Sequence, residues 1–127
     1  MTPAALAIAR RLAQHPRWRW MPGMTVTWRD GRNGATLVLD NANLNRAWVE
    51  SPDKYPHLDN WPTIGAMMGM LLDMWPFAAL YYRDPAGYEH PWYCGEYVAV
   101  ERAEHSFEAD TPGEAVALAL LAAWGEP

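Results

Sequence analysis

The sequence predicts an α+β protein with a mostly antiparallel sheet of four to five strands and helices packed on one face of the sheet. Segments of helical periodicity with clear start and stop signals are interspersed with short runs of β-forming residues. The strand candidates follow one another as hairpins and not in regular strand-helix-strand units, which favours antiparallel pairing. The predicted order is helix, hairpin, loop, helix, two or three strands, helix.

The length and composition predict one domain over residues 1–127. The chain has 127 residues, of which 50% are hydrophobic and 20% are charged, as is typical of a globular protein. Its longest apolar runs, residues 64–72 and 115–124, are shorter than the roughly 20 residues that cross a bilayer, so we expect no membrane partner. A single cysteine and an N-terminus without a leading positive charge predict a cytoplasmic location.

The first helix is predicted from its start and stop signals. Thr2 is a good N-cap residue and Pro3 suits the first helical position. Ile8 and Leu12 then lie four residues apart among alanines, and Pro16 ends the pattern. We expect a helix of about three turns.

A hairpin and a long loop follow. Residues 24–30 alternate apolar and polar side chains, residues 31–34 form a glycine-rich turn, and residues 35–39 are rich in β-formers. Residues 41–60 are polar, contain two prolines, and predict a long loop with a short strand near Ala47 at most. Such loops are often functional, although an excursion packed down by aromatic side chains explains this one equally well.

The central helix is predicted from apolar residues at helical spacing between Ile64 and Trp75, with Pro76 as its end. It is apolar on most of its circumference, so we expect it to be buried. Gly65 and Gly69 lie four residues apart on one face. We expect another backbone to approach the helix closely there.

The C-terminal part predicts strands followed by a closing helix. Residues 77–83, 91–100 and 104–109 are the strand candidates, and a turn sequence separates the first two. The segment from Thr111 to Glu114 has the pattern of a capping box with proline at the first helical position. Gly125 ends the predicted helix.

No catalytic or metal-binding constellation is evident, and we predict no enzyme activity and no cofactor. The four histidines have no metal-ligand spacing. His90 and Cys94 could pair as base and thiol, but no orienting acid is identifiable, so we expect Cys94 to be structural. Carboxylates also cluster near the end of the last strand, where a solvated edge explains them. They are Glu101, Glu104, Glu108 and Asp110.

The charge is unevenly distributed along the chain. The net charge is −5, yet residues 1–32 hold six arginines and one aspartate, whereas the remaining residues hold four cations and 14 carboxylates. Such polarity can steer a charged partner, or it can serve solubility alone.

The sharpest functional signal is the interleaving of arginine and tryptophan from Arg17 to Trp20, preceded by Arg10 and Arg11. Cations and large rings together are used to hold proteins and single-stranded nucleic acids. The alternative is that the tryptophans anchor the core, and we expect Trp20 to be core and Trp18 to be partly exposed. The candidate binding residues are Arg17, Trp18, Arg19, Arg29, Arg32, Trp48 and Tyr55.

Three patches resemble small proteins of tailed bacteriophages and prophages. They are Trp18–Met24, which contains a tryptophan-methionine-proline-glycine-methionine box, the Tyr-Pro-x-Leu-Asp approach to the central helix within Tyr55–Gly65, and the alanine- and leucine-rich helix Thr111–Trp124. The resemblance carries over no catalytic residue. It implies a phage-encoded accessory protein that acts in the bacterial host cytoplasm.

These observations predict a phage or prophage accessory protein that acts by protein-protein binding, for example in host takeover or anti-defence, as a monomer or homodimer. The alternative is a nucleic-acid-binding module that uses the Arg/Trp-rich N-terminal segment. A small hydrolase is the third hypothesis.

Overall fold

The computed structural model has two compact units, Met1–Ala66 and Met67–Pro127, with one antiparallel sheet in each. It describes residues 1–21, 23–29, 37–38, 52–83, 85–87, 89–99 and 102–125. The α+β class and the antiparallel pairing are confirmed. The described residues form six strands in two three-stranded sheets, where the sequence predicted four to five strands. The single domain stays a prediction.

Helix α1 spans Pro3–Gln14, as the start and stop signals predicted. The Thr2 hydroxyl accepts a hydrogen bond from the backbone N–H of Ala5 at 3.1 Å, which satisfies one of the free donors of the first turn. Ala5, Ala9 and Leu12 are fully buried at helical spacing. They form the apolar face of the helix, which packs against strand β3.

The first sheet has the strand order β2-β1-β3. Strand β1 (Thr25–Trp28) pairs with β2 (Leu37–Val38) and with β3 (Lys54–Pro56), both antiparallel. The predicted hairpin is confirmed in its strand pairing, and its turn at residues 31–34 lies outside the described residues.

The predicted loop over residues 41–60 is corrected by the structure, because part of it forms strand β3. Residues 41–51 lie outside the described residues. Lys54, Tyr55 and Pro56 are all buried. The sequence obscured this strand because proline lacks the N–H that a central strand needs. In the described sheet β3 lies at the edge, where proline is tolerated.

Helix α2 spans Trp61–Met74, and the division between the two units falls within it. In the first unit, the Thr63 hydroxyl accepts a hydrogen bond from the backbone N–H of Thr25 at 2.9 Å, and both side chains are buried. This bond ties the start of the helix to the start of β1. The helix is less buried than predicted, because Trp61 and Leu72 are 59% and 42% exposed.

Gly65 and Gly69 contradict the predicted close approach of another backbone. Both are exposed, and a Cβ added at either would meet no heavy atom within 4 Å among the described residues. Spacing of four residues places two glycines on one face but does not say which face. In α2 that face is the exposed one.

The second sheet has the strand order β4-β5-β6, with β5 in the centre. Strand β4 (Ala78–Tyr82), strand β5 (Trp92–Ala99) and strand β6 (Arg102–Ala109) agree with the predicted segments. A 3₁₀ turn, Pro85–Gly87, lies between β4 and β5.

The register of the second sheet defines two faces. Leu80, Cys94 and Phe107 are aligned across the strands on one face, and Tyr81, Tyr93 and Glu108 are aligned on the other. The closing helix packs against β5 and β6. The buried Cys94 and the exposed Tyr81 and Glu108 indicate that it covers the first face.

The closing helix α3 spans Pro112–Ala123, and both of its predicted end signals are confirmed. The Thr111 hydroxyl accepts from the Glu114 backbone N–H at 3.3 Å, and it lies 3.1 Å from the Glu114 carboxylate, to which it donates. At the other end Gly125 has φ 88°, a conformation that glycine adopts without strain.

Candidate functional site

The basic aromatic segment, residues 17–20 (Arg17, Trp18, Arg19 and Trp20), is the candidate site. His15, the C-cap residue of α1, determines the direction in which the segment leaves the helix. The His15 ring Nδ1 accepts from the Arg17 backbone N–H at 3.1 Å, and the His15 carbonyl accepts from the Trp18 N–H at 3.0 Å. The segment therefore has a fixed beginning.

A turn at residues 21–24 fixes the other end of the segment. The Met24 backbone N–H donates to the Met21 carbonyl at 3.2 Å, and Gly23 has φ 90°. A positive φ at the third position of a four-residue turn favours glycine. Met24 is fully buried and leads directly into β1. Gly23 of the tryptophan-methionine-proline-glycine-methionine box thus has a structural role, which is to turn the chain into the first sheet.

The four side chains of the segment differ in exposure. Arg17 and Arg19 are exposed, and Trp18 and Trp20 are half-buried. The two rings meet edge to face, with centroids 5.4 Å apart and planes at 88°, a favourable aromatic geometry. The expectation that Trp18 is partly exposed is confirmed, whereas the expectation that Trp20 is a core residue was wrong, because Trp20 is also only half-buried. The Trp18 indole N–H is buried and has no acceptor among the described residues, which is a cost to folding.

The other predicted binding residues are scattered. Arg29 is exposed just after β1, and its backbone N–H donates to the Asp53 carbonyl at 2.8 Å. Arg32 and Trp48 lie outside the described residues. Tyr55 is only 6% exposed in β3, so its ring offers little area to a partner.

A buried lysine opposite Trp28 was not predicted from the sequence. Lys54 is 7% exposed, and its Nζ lies 2.7 Å from the Asp53 carboxylate and 5.3 Å from the centre of the Trp28 ring. Charge pairing and the cation-π contact compensate for the loss of water around the ammonium. The contact depends on the pairing of Trp28 with Lys54 in the β1-β3 ladder, and strand β3 was not predicted from the sequence.

A second cluster that the sequence did not reveal lies on the open face of the second sheet. The rings of Tyr81 and Tyr93 stack with centroids 5.3 Å apart, and the Arg83 guanidinium lies 4.2 Å from the Tyr93 ring centre. Arg83 also forms an ion pair with Glu108. The alternation of Tyr81 with Arg83 was a usable signal, since residues two apart share a face of a strand.

The environments of His90 and Cys94 do not suit nucleophilic catalysis. Cys94 is fully buried, and burial raises the pKa of its thiol to about 12, whereas a nucleophilic cysteine needs a lowered pKa. The His90 Nδ1 lies 2.7 Å from an Asp110 carboxylate oxygen, and this hydrogen bond raises the pKa of His90. Within the described ranges, no group of three or more potential ligand residues is placed to hold a metal ion.

Comparisons with known proteins give no match to a protein-family model, a curated protein or a solved structure. Among the described helices, none has both the length and the apolar character required to cross a membrane.

Proposed function

We propose that the protein acts by binding another protein, and that the basic aromatic segment is the centre of its binding surface. One observation carries the proposal. Two exposed arginines flank a half-buried tryptophan in a short segment held by hydrogen bonds at both ends. Tryptophan and arginine are the residues most often found at the energetic centres of protein interfaces.

The fixed ends of the segment favour a binding role. A partner that docks on residues 17–20 meets a backbone held by His15 and by the turn from Met21 to Met24, so less conformational entropy is lost on association. The five described arginines of residues 1–29 are all exposed, which suits a partner with an acidic surface. They are Arg10, Arg11, Arg17, Arg19 and Arg29.

The resemblance to small proteins of tailed phages and prophages supplies the context of the proposal. In that context the partner is a host or phage protein in the bacterial cytoplasm, and the binding serves host takeover or anti-defence. No step of chemistry is required of this chain, which is consistent with the buried thiol of Cys94.

Nucleic-acid binding is the second candidate, and the alternation of cations with rings favours it. A base-stacking platform needs open ring faces, however, and the edge-to-face contact of the two tryptophans covers one face of one ring, which reduces the area left for stacking. The net charge of −5 also opposes attraction to a polyanion. We therefore rank protein binding above nucleic-acid binding.

Affinity capture with two matched double variants tests the proposal. Arg17→Gln/Arg19→Gln and Arg10→Gln/Arg11→Gln each remove two positive charges from exposed positions, but only the first pair lies in the segment. Tagged wild-type protein and both variants are incubated with nuclease-treated extract of the bacteria that express the gene. We expect wild type and the Arg10/Arg11 variant to retain a protein that the Arg17/Arg19 variant does not retain. Equal retention by both variants would contradict the proposal.

A titration with a labelled single-stranded oligonucleotide distinguishes the second candidate, nucleic-acid binding, from protein binding. Electrostatic binding to nucleic acid is strongest at low salt and weakens as salt rises. We expect no binding even at low salt. Salt-dependent binding that is lost in the Arg17/Arg19 variant and retained in the Arg10/Arg11 variant would favour the nucleic-acid function instead.

A further inference from the structure

Strand β4 is one edge of the second sheet as far as the structure describes that sheet. Within the part of the chain that the structure describes, β4 pairs on one side only, with β5. Its sequence from Ala78 to Tyr82 contains no charged residue and no proline. Charges and prolines are the usual means by which natural proteins prevent an edge strand from pairing with another chain.

The polar backbone groups of β4 alternate between β5 and the open side. The Arg83 N–H donates to the Pro91 carbonyl at 2.7 Å, so the backbone of Arg83 faces β5. In an antiparallel ladder the hydrogen-bonding direction alternates from residue to residue. Tyr81 therefore also faces β5, whereas the N–H and C=O of Leu80 and Tyr82 face away from it.

The side chains of β4 are complementary in size to a second, antiparallel copy of the same strand. With Leu80 opposite Leu80 of a second copy, Ala79 lies opposite Tyr81 and Ala78 lies opposite Tyr82. Each large ring then faces a methyl group. In the same register, the outward N–H of Leu80 donates to the carbonyl of Leu80 in the other copy, and the outward N–H of Tyr82 donates to the carbonyl of Ala78 in the other copy. Size matching and backbone bonding thus select the same register.

The exposed apolar side chains at this edge supply surface for the pairing. Tyr82 is 58% exposed, Tyr81 is 45% exposed, and Phe77, just before the strand, is 67% exposed. The strand is uncharged, so two copies meet there without like charges directly opposite each other. We propose that β4 pairs with β4 of a second copy of this chain, joining two three-stranded sheets into one antiparallel sheet of six strands.

Sedimentation velocity over a concentration series tests the proposal on the full chain. We expect wild type to pass from monomer to dimer as concentration rises. Tyr82→Pro removes the outward N–H, so it should raise the dissociation constant about tenfold or more through the two hydrogen bonds lost per dimer. A wild type that stays monomeric at its highest soluble concentration overturns the proposal, as does an undiminished dimer of Tyr82→Pro.

Ser106→Pro is the matched control, because Ser106 is exposed on β6, the other edge of the same sheet. Gly95 of β5 lies opposite both Ala79 of β4 and Ser106 of β6. The backbone N–H and C=O of Ala79 face β5, so those of Gly95 face β4 and not β6. The N–H of Ser106 therefore points away from β5, toward the open side of β6. We expect this variant to dimerise like wild type. Loss of the dimer in Ser106→Pro would overturn the assignment of the dimer interface to β4.

Circular dichroism establishes that each variant is folded. If Tyr82→Pro does not fold, Ala79→Lys and Tyr81→Glu replace it, because the proposed register places these two positions opposite each other. Mixed together, they should form heterodimers in preference to either homodimer. A mixture without that preference overturns the proposed register.

Discussion

At the scale of single residues, the surroundings of His90 and Cys94 set their chemistry, although only four positions separate them. Burial keeps the Cys94 thiol protonated by raising its pKa to about 12. Exposed His90 instead has its charged form stabilised by the Asp110 carboxylate. The raised pKa of His90 could not be predicted from the spacing, because Asp110 is 20 positions from His90 along the chain.

The pKa of His90 should fall in Asp110→Asn. In wild type the hydrogen bond to Asp110 raises the pKa of His90 above its usual value of 6.5 in the folded state. The pair therefore stabilises the fold fully below pH 6.5, and this contribution is lost as pH rises through the folded-state pKa. An NMR titration of the His90 ring protons measures the change. His57, whose pKa is lowered chiefly by burial, is the internal control and should not respond. An unchanged pKa of His90 in Asp110→Asn would contradict the pairing.

At the scale of elements, the glycines of α2 lack a packing role in the described structure. Gly65→Ala and Gly69→Ala should each raise the free energy of unfolding by about 0.5 to 1 kcal/mol, because alanine restricts the unfolded chain and favours the helix. Urea denaturation measures the effect. Gly125→Ala is the contrasting control, and it should be destabilising by about 1 kcal/mol because its φ is 88°. Lower stability of both α2 variants would indicate a packing role after all.

The start of α3 depends on its cap. Thr111→Ala removes the acceptor for the Glu114 N–H, and we expect it to lower the free energy of unfolding by about 1 kcal/mol. Thr111→Ser keeps the hydroxyl and should stay close to wild type. A chemical denaturation midpoint of Thr111→Ala equal to that of Thr111→Ser would show that the cap contributes nothing.

The sequence was informative where a local interaction decides the structure. The ends of α1 and α3 follow from Thr2, Thr111 and Gly125, whose roles need only neighbouring backbone groups. Strand β3 and the exposed glycines of α2 could not be predicted in the same way. Both depend on contacts with distant parts of the chain, which residue spacing does not encode.

At the scale of the whole molecule, positive charge and the paired tryptophan rings coincide near the N-terminus. Residues 1–32 carry six of the ten cations of a chain whose net charge is −5, and residues 17–20 hold two of them beside paired tryptophan rings. The sequence predicted the residue types of this segment. It could not predict that His15 and the turn at Gly23 would hold the segment at both ends, because each contact depends on backbone geometry.

Site-specific photo-crosslinking tests most directly whether the segment binds a protein. Benzoylphenylalanine is placed at position 21, directly after the segment, or at position 10 on α1, both of which are exposed in wild type. Neither substitution removes Arg17 or Arg19. The protein is then irradiated in the bacteria that express it. We predict a covalent adduct with another protein from position 21 and not from position 10. No protein adduct from position 21, or equal adducts from both positions, would contradict the proposed binding surface.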